Sequence, residues 1–466
     1  MKANDEDPLL SGAFAPLSCE YDCADLRVEG DLPRALDGVL YRVGPNPQFP
    51  PLGPYNPLQG DGMIHAFRIS EGRVSYRNRW VRTVQWRLER EAGRSLFATA
   101  DPRLNDPAVA GVPSQGAANT HIVRHAGRLL ALEEGHPPIA IEAETLATLG
   151  VYDFDGGLPG AMTAHPKIDP RSGEMLFFAN FPTRQFDGAI ALYVADGAGR
   201  IVRSAAVVGP YPALVHDFAV TERHIILVVC PLTLSLERLR AGGPPIAWEP
   251  HRSAFVGVLP RAGSLQSVDW RPVPASMVWH TVNAYDQDED VVLDVCQQAA
   301  PAFPDASGQP APEPALRQYL TRWEIPLRAG GEVRCQRLSE VVCEYPRIDE
   351  RRLGLPHRYV FVATNGGPGT GDLLHRAIGR FDVRHGEMCA WAAAPGQAVS
   401  EPVFVPRALD GPEGAGYLLV TVFDACRNAS HLAVFDAEDL RAGPIARAFL
   451  DHRVPAGFHG SFVPSV

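Results

Sequence analysis

The chain has 466 residues, with 43 Lys and Arg against 54 Asp and Glu and a formal net charge of −11 at pH 7. That acidic balance argues against a nucleic-acid binder, which would carry a basic face, while 45% hydrophobic and 21% charged residues are the proportions of an ordinary folded globular protein. No run of about 18 apolar residues occurs to cross a bilayer, and the polar opening M-K-A-N-D-E-D-P argues against a secretory leader, so a cytoplasmic protein is expected, with peripheral membrane contact left open.

Gly and Pro, 43 of each, punctuate the whole length. Between them lie short runs rich in β-branched and aromatic residues. In chain order these are 121–125, 127–132, 174–181, 189–194, 224–229, 290–295, 358–362, 417–423 and 431–435. They have strand length and many alternate. Two short stretches read as helix, L-T-L-S-L-E-R-L-R (232–240) and P-E-P-A-L-R-Q-Y-L (312–320). The Pro-rich stretches 242–250 and 300–314 read as long loops, and N-G-G-P-G-T-G-D (365–372) as a loop rather than a nucleotide-binding turn, since no helical pattern follows it.

One pattern recurs at 141–150, 193–202, 381–391 and 435–446: a strand enters a polar tight turn and another strand leaves it. Repeated outer hairpins suit the blades of a propeller. The expectation is an all-β chain whose hairpins are the blades of a propeller, occupying 1–466 as a single domain. Seven blades would take about 67 residues each.

Four of the 15 histidines stand apart by context: His165 in T-A-H-P-K-I-D, His216 in L-V-H-D-F-A-V-T, His280 in V-W-H-T-V-N-A-Y-D and His459 in G-F-H-G-S-F-V-P. Each enters a predicted strand after a small or apolar residue. The first three are spaced by 51 and 64 residues, and His459 follows 179 later, or about 60 for each of three blades. One histidine per blade at a common register would bring four imidazoles to the axis. Neutral imidazoles are costly to bury together unless something uses their lone pairs. A metal does, and imidazole suits Fe, Zn, Cu or Ni.

Taken together, these contexts resemble the carotenoid cleavage oxygenase family. Further matches run in order along the chain: L-D-G-V-L-Y-R-V-G-P-N-P-Q-F (36–49), G-D-G-M-I-H-A-F (60–67), A-N-T-H-I-V (118–123), A-H-P-K-I-D-P-R-S-G-E (164–174), E-Y-P-R-I-D (344–349), S-E-P-V-F-V-P-R (400–407) and H-R-V-P-A-G-F-H-G-S-F-V-P (452–464). The resemblance implies a seven-bladed β-propeller with a cap of long loops and short helices, and one axial Fe(2+) held by His165, His216, His280 and His459. It also implies that Glu134, Glu344 and Glu401 accept a ring N–H from His216, His280 and His459 in turn, which fixes the tautomer and makes the other nitrogen a better ligand. Thr120 matches a position that crowds one open iron site.

Four neutral ligands on an octahedral iron leave two adjacent positions open. With no flavin or nicotinamide fingerprint, the reducing electrons are expected from the substrate, and an electron-rich alkene meets that demand. The implied reaction uses O₂ to cleave a conjugated C=C bond into two carbonyls. A carotenoid or apocarotenoid is the favoured substrate, with a stilbenoid or phenylpropenoid cleaved to aromatic aldehydes as the alternative. The stilbene-cleaving branch typically carries a lysine where this chain has Glu133, and a tyrosine in the segment that here reads S-L-F-A-T-A-D (95–101). The stretch 76–97 nevertheless looks like that branch. The leucines of 232–240 could form an apolar lip for lipid-dissolved substrate.

Two rival classes remain. A propeller hydrolase or lactonase would use carboxylate and amide oxygens around Ca²⁺ or Zn²⁺, which the histidines disfavour. A metal-free binding scaffold would need no iron. The eight cysteines include no C-x-x-C and read as reduced and mostly buried.

Overall fold

The computed structural model describes residues 7–114, 116–182, 187–365 and 374–465. Apart from Asn365, the Gly-rich loop at 365–372 lies outside them. The chain divides into two compact units, one of residues 1–164, 393–409 and 416–466, the other of 165–392 and 410–415.

The second unit is a series of antiparallel meanders. Lys167–Ile168, Met175–Asn180, Ala189–Ala195 and Ile201–Val208 pair in that order, and so do Phe218–Val220, His224–Val229, Ala254–Pro260 and Asp269–Val273. A third sheet runs Met277–Gln287, Asp290–Gln298, Tyr319–Pro326 and the start of Arg334–Arg347. The end of that long strand opens a fourth sheet with Tyr359–Thr364, Ala377–Asp382 and Glu387–Ala392. The sheets are held face to face by apolar clusters such as Ile226, Val256, Leu293, Trp323 and Ile325, each fully buried or nearly so. Trp323 keeps its indole N–H satisfied by donating to Gln297 Oε1 at 2.9 Å, as a buried Trp requires.

The first unit holds three more sheets. His121–His125, Arg128–Leu132, Ile139–Ile141 and Thr148–Val151 form one. In another, Gly416–Asp424, Ala429–Asp436 and Pro444–Phe449 are flanked by Arg27–Gly30 from the beginning of the chain. The remaining sheet has Gly38–Pro45, Gly62–Ser70, Arg73–Trp80 and Asp22–Cys23, and takes Gly460–Pro464 as its end strand. Besides the two-stranded ribbon of Leu232–Leu234 and Ile246–Trp248, the described residues hold four such sheets in the second unit and three in the first, in keeping with the expected all-β propeller class.

All nine predicted strand runs are strands, and the four predicted hairpins are hairpins. The two predicted helices are mostly something else. The first splits into a strand, Leu232–Leu234, and a single turn of helix, Leu236–Arg240. The second is a 3₁₀ turn, Glu313–Leu316, followed by the strand Tyr319–Pro326. Of the leucines of 232–240, Leu232 is buried, Leu234 and Leu239 are half-buried, and Leu236 is exposed. Among the described residues no helix is long and apolar enough to cross a membrane.

Candidate metal centre

Three of the four singled-out histidines converge in the second unit. His165 and His216 each lie two residues ahead of the first strand of their sheets, Lys167–Ile168 and Phe218–Val220. His280 lies within Met277–Gln287, where the register to the neighbouring strand shifts between Val278 and Thr281. Such a bulge re-aims side chains that a regular ladder would alternate.

The result is a cluster whose ligand atoms all lie within 4.8 Å of one another. Nε2 of His165 is 3.1 Å from Nε2 of His216, which is 3.3 Å from Nε2 of His280. His165 and His216 are buried, and the His280 side chain is 12% exposed. Nitrogens about 2.1 Å from one ion lie about 3.0 Å apart at right angles and about 3.4 Å apart at tetrahedral angles. The observed separations fall in that range, and three imidazole donors suit a borderline transition metal.

Glu344 fixes one ring. Its Oε2 accepts the Nδ1 proton of His280 at 2.6 Å, which leaves the His280 Nε2 lone pair facing the other two rings. Aromatic neighbours complete the surroundings. Trp279 meets His216 edge-on at 5.1 Å between centroids, and Tyr345 stacks on His280 at 5.8 Å. Tyr345 takes a left-handed backbone, φ +53°, an uncommon conformation for a bulky residue. Next to His216, Asp217 is buried. Burial alone would raise its carboxyl; the Lys167 ammonium, 2.7 Å away, and a set of hydrogen bonds hold it below the ordinary carboxylate range.

The other predicted residues belong to the first unit. His459 is buried just ahead of the strand Gly460–Pro464, and its Nδ1–H donates to Glu401 Oε1 at 2.9 Å. Glu401 Oε2 accepts from Gly460 N at 2.9 Å and faces the Arg42 guanidinium at 3.6 Å. Arg42 is itself buried and donates to the Phe458 carbonyl at 2.8 Å. Thr120 is buried, and its carbonyl accepts from His459 N at 3.1 Å. Glu134 is half-buried just past the strand Arg128–Leu132. Its neighbour Glu133 is buried and accepts from His136. In the 95–101 segment, the N–H groups of Leu96 and Phe97 donate to Glu89 Oε1.

Sequence reasoning passed over Arg42, Asp217 and Trp279. Each stood inside a quoted motif, L-Y-R-V-G-P, L-V-H-D-F and V-W-H-T, but its partners lie on other segments.

An all-β chain that gathers three imidazoles at or just ahead of the first strands of successive sheets has the donor set to hold a metal ion. The sequence profile of the retinal pigment epithelial membrane protein (RPE65) family matches residues 14–464, and the chain belongs to that family, the carotenoid cleavage oxygenases. It is 36% identical to isoeugenol monooxygenase from Pseudomonas nitroreducens, over 99% of each chain. Its fold matches the crystal structure of Pseudomonas brassicacearum lignostilbene dioxygenase with a TM-score of 0.93 at 33% identity, over 99% of both chains. A variant of the Synechocystis apocarotenoid oxygenase follows at 0.86 and 29%, over 97% of both. The protein is therefore an alkene-cleaving oxygenase. Of the two substrate readings, these likenesses favour the alternative, an aromatic alkene, over the carotenoid first preferred.

Proposed function

We propose that this protein is a non-haem Fe(2+) oxygenase that cleaves a C=C bond conjugated to an aromatic ring, in a phenylpropenoid or stilbenoid, to give an aromatic aldehyde and a second carbonyl. The observation that carries the reading is the convergence of His165, His216 and His280 at metal-ligand spacing. The resemblance adds His459 as the fourth ligand and Glu134 as the acceptor for the His216 ring.

Bound Fe(2+) would supply the O₂ activation that imidazoles cannot supply themselves. The chain's own part is to orient and to shelter. Glu344 and Glu401 each take a ring proton, from His280 and His459, and so set which nitrogen offers its lone pair. As neutral ligands, the imidazoles would add no charge to a bound ion. Burial of His165, His216 and His459 keeps bulk water from their rings. The resemblance would set Thr120 where it crowds one open iron site.

The aromatic preference rests on the relatives. With Glu133 in place of a lysine and no tyrosine at 95–101, a phenol would be held differently from the way the stilbene-cleaving branch holds it. The test is a product assay. Iron-loaded protein is mixed anaerobically with isoeugenol, a hydroxystilbene or a β-apo-carotenal, and then given O₂. Aldehydes are expected from the aryl alkenes. Cleavage of the apocarotenal alone would restore the carotenoid reading.

A further inference from the structure

We infer that Asp217 is a positioning residue: its carboxylate clamps the three segments that carry His165, His216 and His280, and holds the imidazoles at metal-binding spacing before any ion arrives. The inference rests on those three residues forming the metal site.

The donors to this carboxylate sit beside the histidines. Lys167 lies two residues after His165, Asp217 directly follows His216, and Thr281 directly follows His280. Oδ1 of Asp217 accepts from Lys167 Nζ at 2.7 Å and from Phe218 N at 2.7 Å. Oδ2 accepts from Thr281 N and from Thr281 Oγ1, each at 2.8 Å. Lys167 Nζ also reaches Thr281 Oγ1 at 3.5 Å, which closes a triangle of side chains.

The three strands concerned begin three different sheets. Lys167–Ile168 pairs with Met175–Asn180, Phe218–Val220 with His224–Val229, and Met277–Gln287 with Asp290–Gln298. Among the described residues no backbone ladder joins one of the three to another. Adjacent sheets could slide by some tenths of an ångström without breaking any ladder. The carboxylate spans that gap, and its four short contacts leave little slack.

Such a clamp has a purpose in the metal-free protein. Ring nitrogens 3.1 and 3.3 Å apart bring lone pairs together, and that arrangement relaxes outward unless something holds it. Outer hydrogen-bonding groups of this kind govern affinity through ligand orientation. The Lys167 ammonium also cancels the charge of Asp217, so the pair fixes geometry without adding net negative charge beside the ion. Both side chains are well shielded, at 16% and 3% exposure, so removing one partner leaves the other's charge buried and uncompensated. Thr281 is the gentler probe.

The experiment strips full-length protein of metal with a chelator, then titrates it with Co²⁺ against a competing chelator while recording the visible ligand-field spectrum. Wild type is compared with Asp217→Asn, Thr281→Val and Thr281→Ser. Asp217→Asn and Thr281→Val are expected to weaken Co²⁺ binding about 10- to 100-fold and to alter the spectrum. The metal-free melting temperature should fall in Asp217→Asn, which strands the Lys167 charge, but should stay close to wild type in Thr281→Val, and Thr281→Ser should restore affinity. If Asp217→Asn does not fold, the Thr281 pair carries the comparison. Wild-type affinity and spectrum in Thr281→Val would overturn the clamp while leaving the metal site standing. So would a loss of affinity that merely tracks a fall in metal-free stability and that Ser does not rescue. Failure of the wild type to bind Co²⁺ would overturn the metal site, and the clamp with it.

Discussion

Glu344 shows how much one side chain settles at this centre. Its Oε2 accepts from Tyr345 N as well as from His280 Nδ1, and the latter contact decides which ring nitrogen is free; among the described residues its second oxygen, Oε1, is buried without a hydrogen-bond partner. Replacing it with Gln keeps an acceptor but removes the charge that favours the bound proton. We expect Glu344→Gln to retain iron about 10-fold less tightly, measured as iron per chain after dialysis against a chelator. Unchanged retention would remove Glu344 from the account. Asp61, in the first unit, makes a separate prediction. Burial, and then the nearby Glu89 charge, raise its carboxyl to about 7 against the opposing Gln48 N–H. A carboxyl raised in the folded state binds its proton more tightly than in the unfolded chain, so its contribution is present at low pH and is lost as pH rises through about 7. Stability should fall across that window by up to about 1.4 kcal/mol per pH unit, and Asp61→Asn should flatten the fall. Urea midpoints at pH 5 and pH 8 check this; equal slopes in the two proteins would contradict it. At this scale the convergence of His165, His216 and His280 was legible, because each stood in a recognisable run. Arg42 and Asp217 were not, because a hydrogen bond between residues far apart in sequence leaves no local trace.

Among elements, the strand Gly460–Pro464 carries the most consequence. It pairs with Gly38–Pro45 over five register positions, Gly38 to Arg42, and His459 stands at its entrance. Glycine is required for that approach: a Cβ on Gly44 would lie 2.5 Å from the Gly457 Cα, and one on Gly460 would lie 2.4 Å from the Tyr41 carbonyl oxygen. We expect Gly44→Ala to cost about 1–3 kcal/mol in denaturant unfolding. Deleting residues 459–466 should abolish cooperative unfolding as well as iron binding, unlike the trimming of a free tail. A truncated protein that melted like the full chain would show the last strand to be dispensable. Strands were legible because alternation and Gly/Pro punctuation are local signals. The helix Val84–Ala92 was not foreseen. Its buried residues are Gln85 and Glu89, so no apolar stripe marks it. Only the Thr83 cap, which accepts from Trp86 N, and the left-handed Gly93 stop betray it. The 232–240 stretch misled for the opposite reason. Its leucines at alternate positions belong partly to a two-stranded ribbon with Ile246–Trp248, and the helix is confined to the last five residues, Leu236–Arg240.

For the whole molecule, the repeated hairpins pointed to a propeller, and the ordered motifs pointed to the family, which brought the number of blades with it. The substrate was harder to read. Specificity depends on which side chains meet the alkene, and those come from loops whose course periodicity does not fix. Glu133 illustrates the limit: as a letter it weighed against phenolic stilbenes, whereas in the fold it is committed to His136. The central claim is that the converging imidazoles hold the iron on which alkene cleavage depends. The most direct test measures iron per chain and aldehyde yield together, in wild type and in His216→Ala. Both proteins are stripped with a chelator, reloaded with Fe(2+) under anaerobic conditions, mixed with isoeugenol or a hydroxystilbene, and exposed to O₂. The account predicts about one iron per wild-type chain, aldehyde only when both iron and O₂ are present, and neither iron nor product in His216→Ala. Aldehyde formation by metal-free protein, or full iron content in His216→Ala, would contradict it.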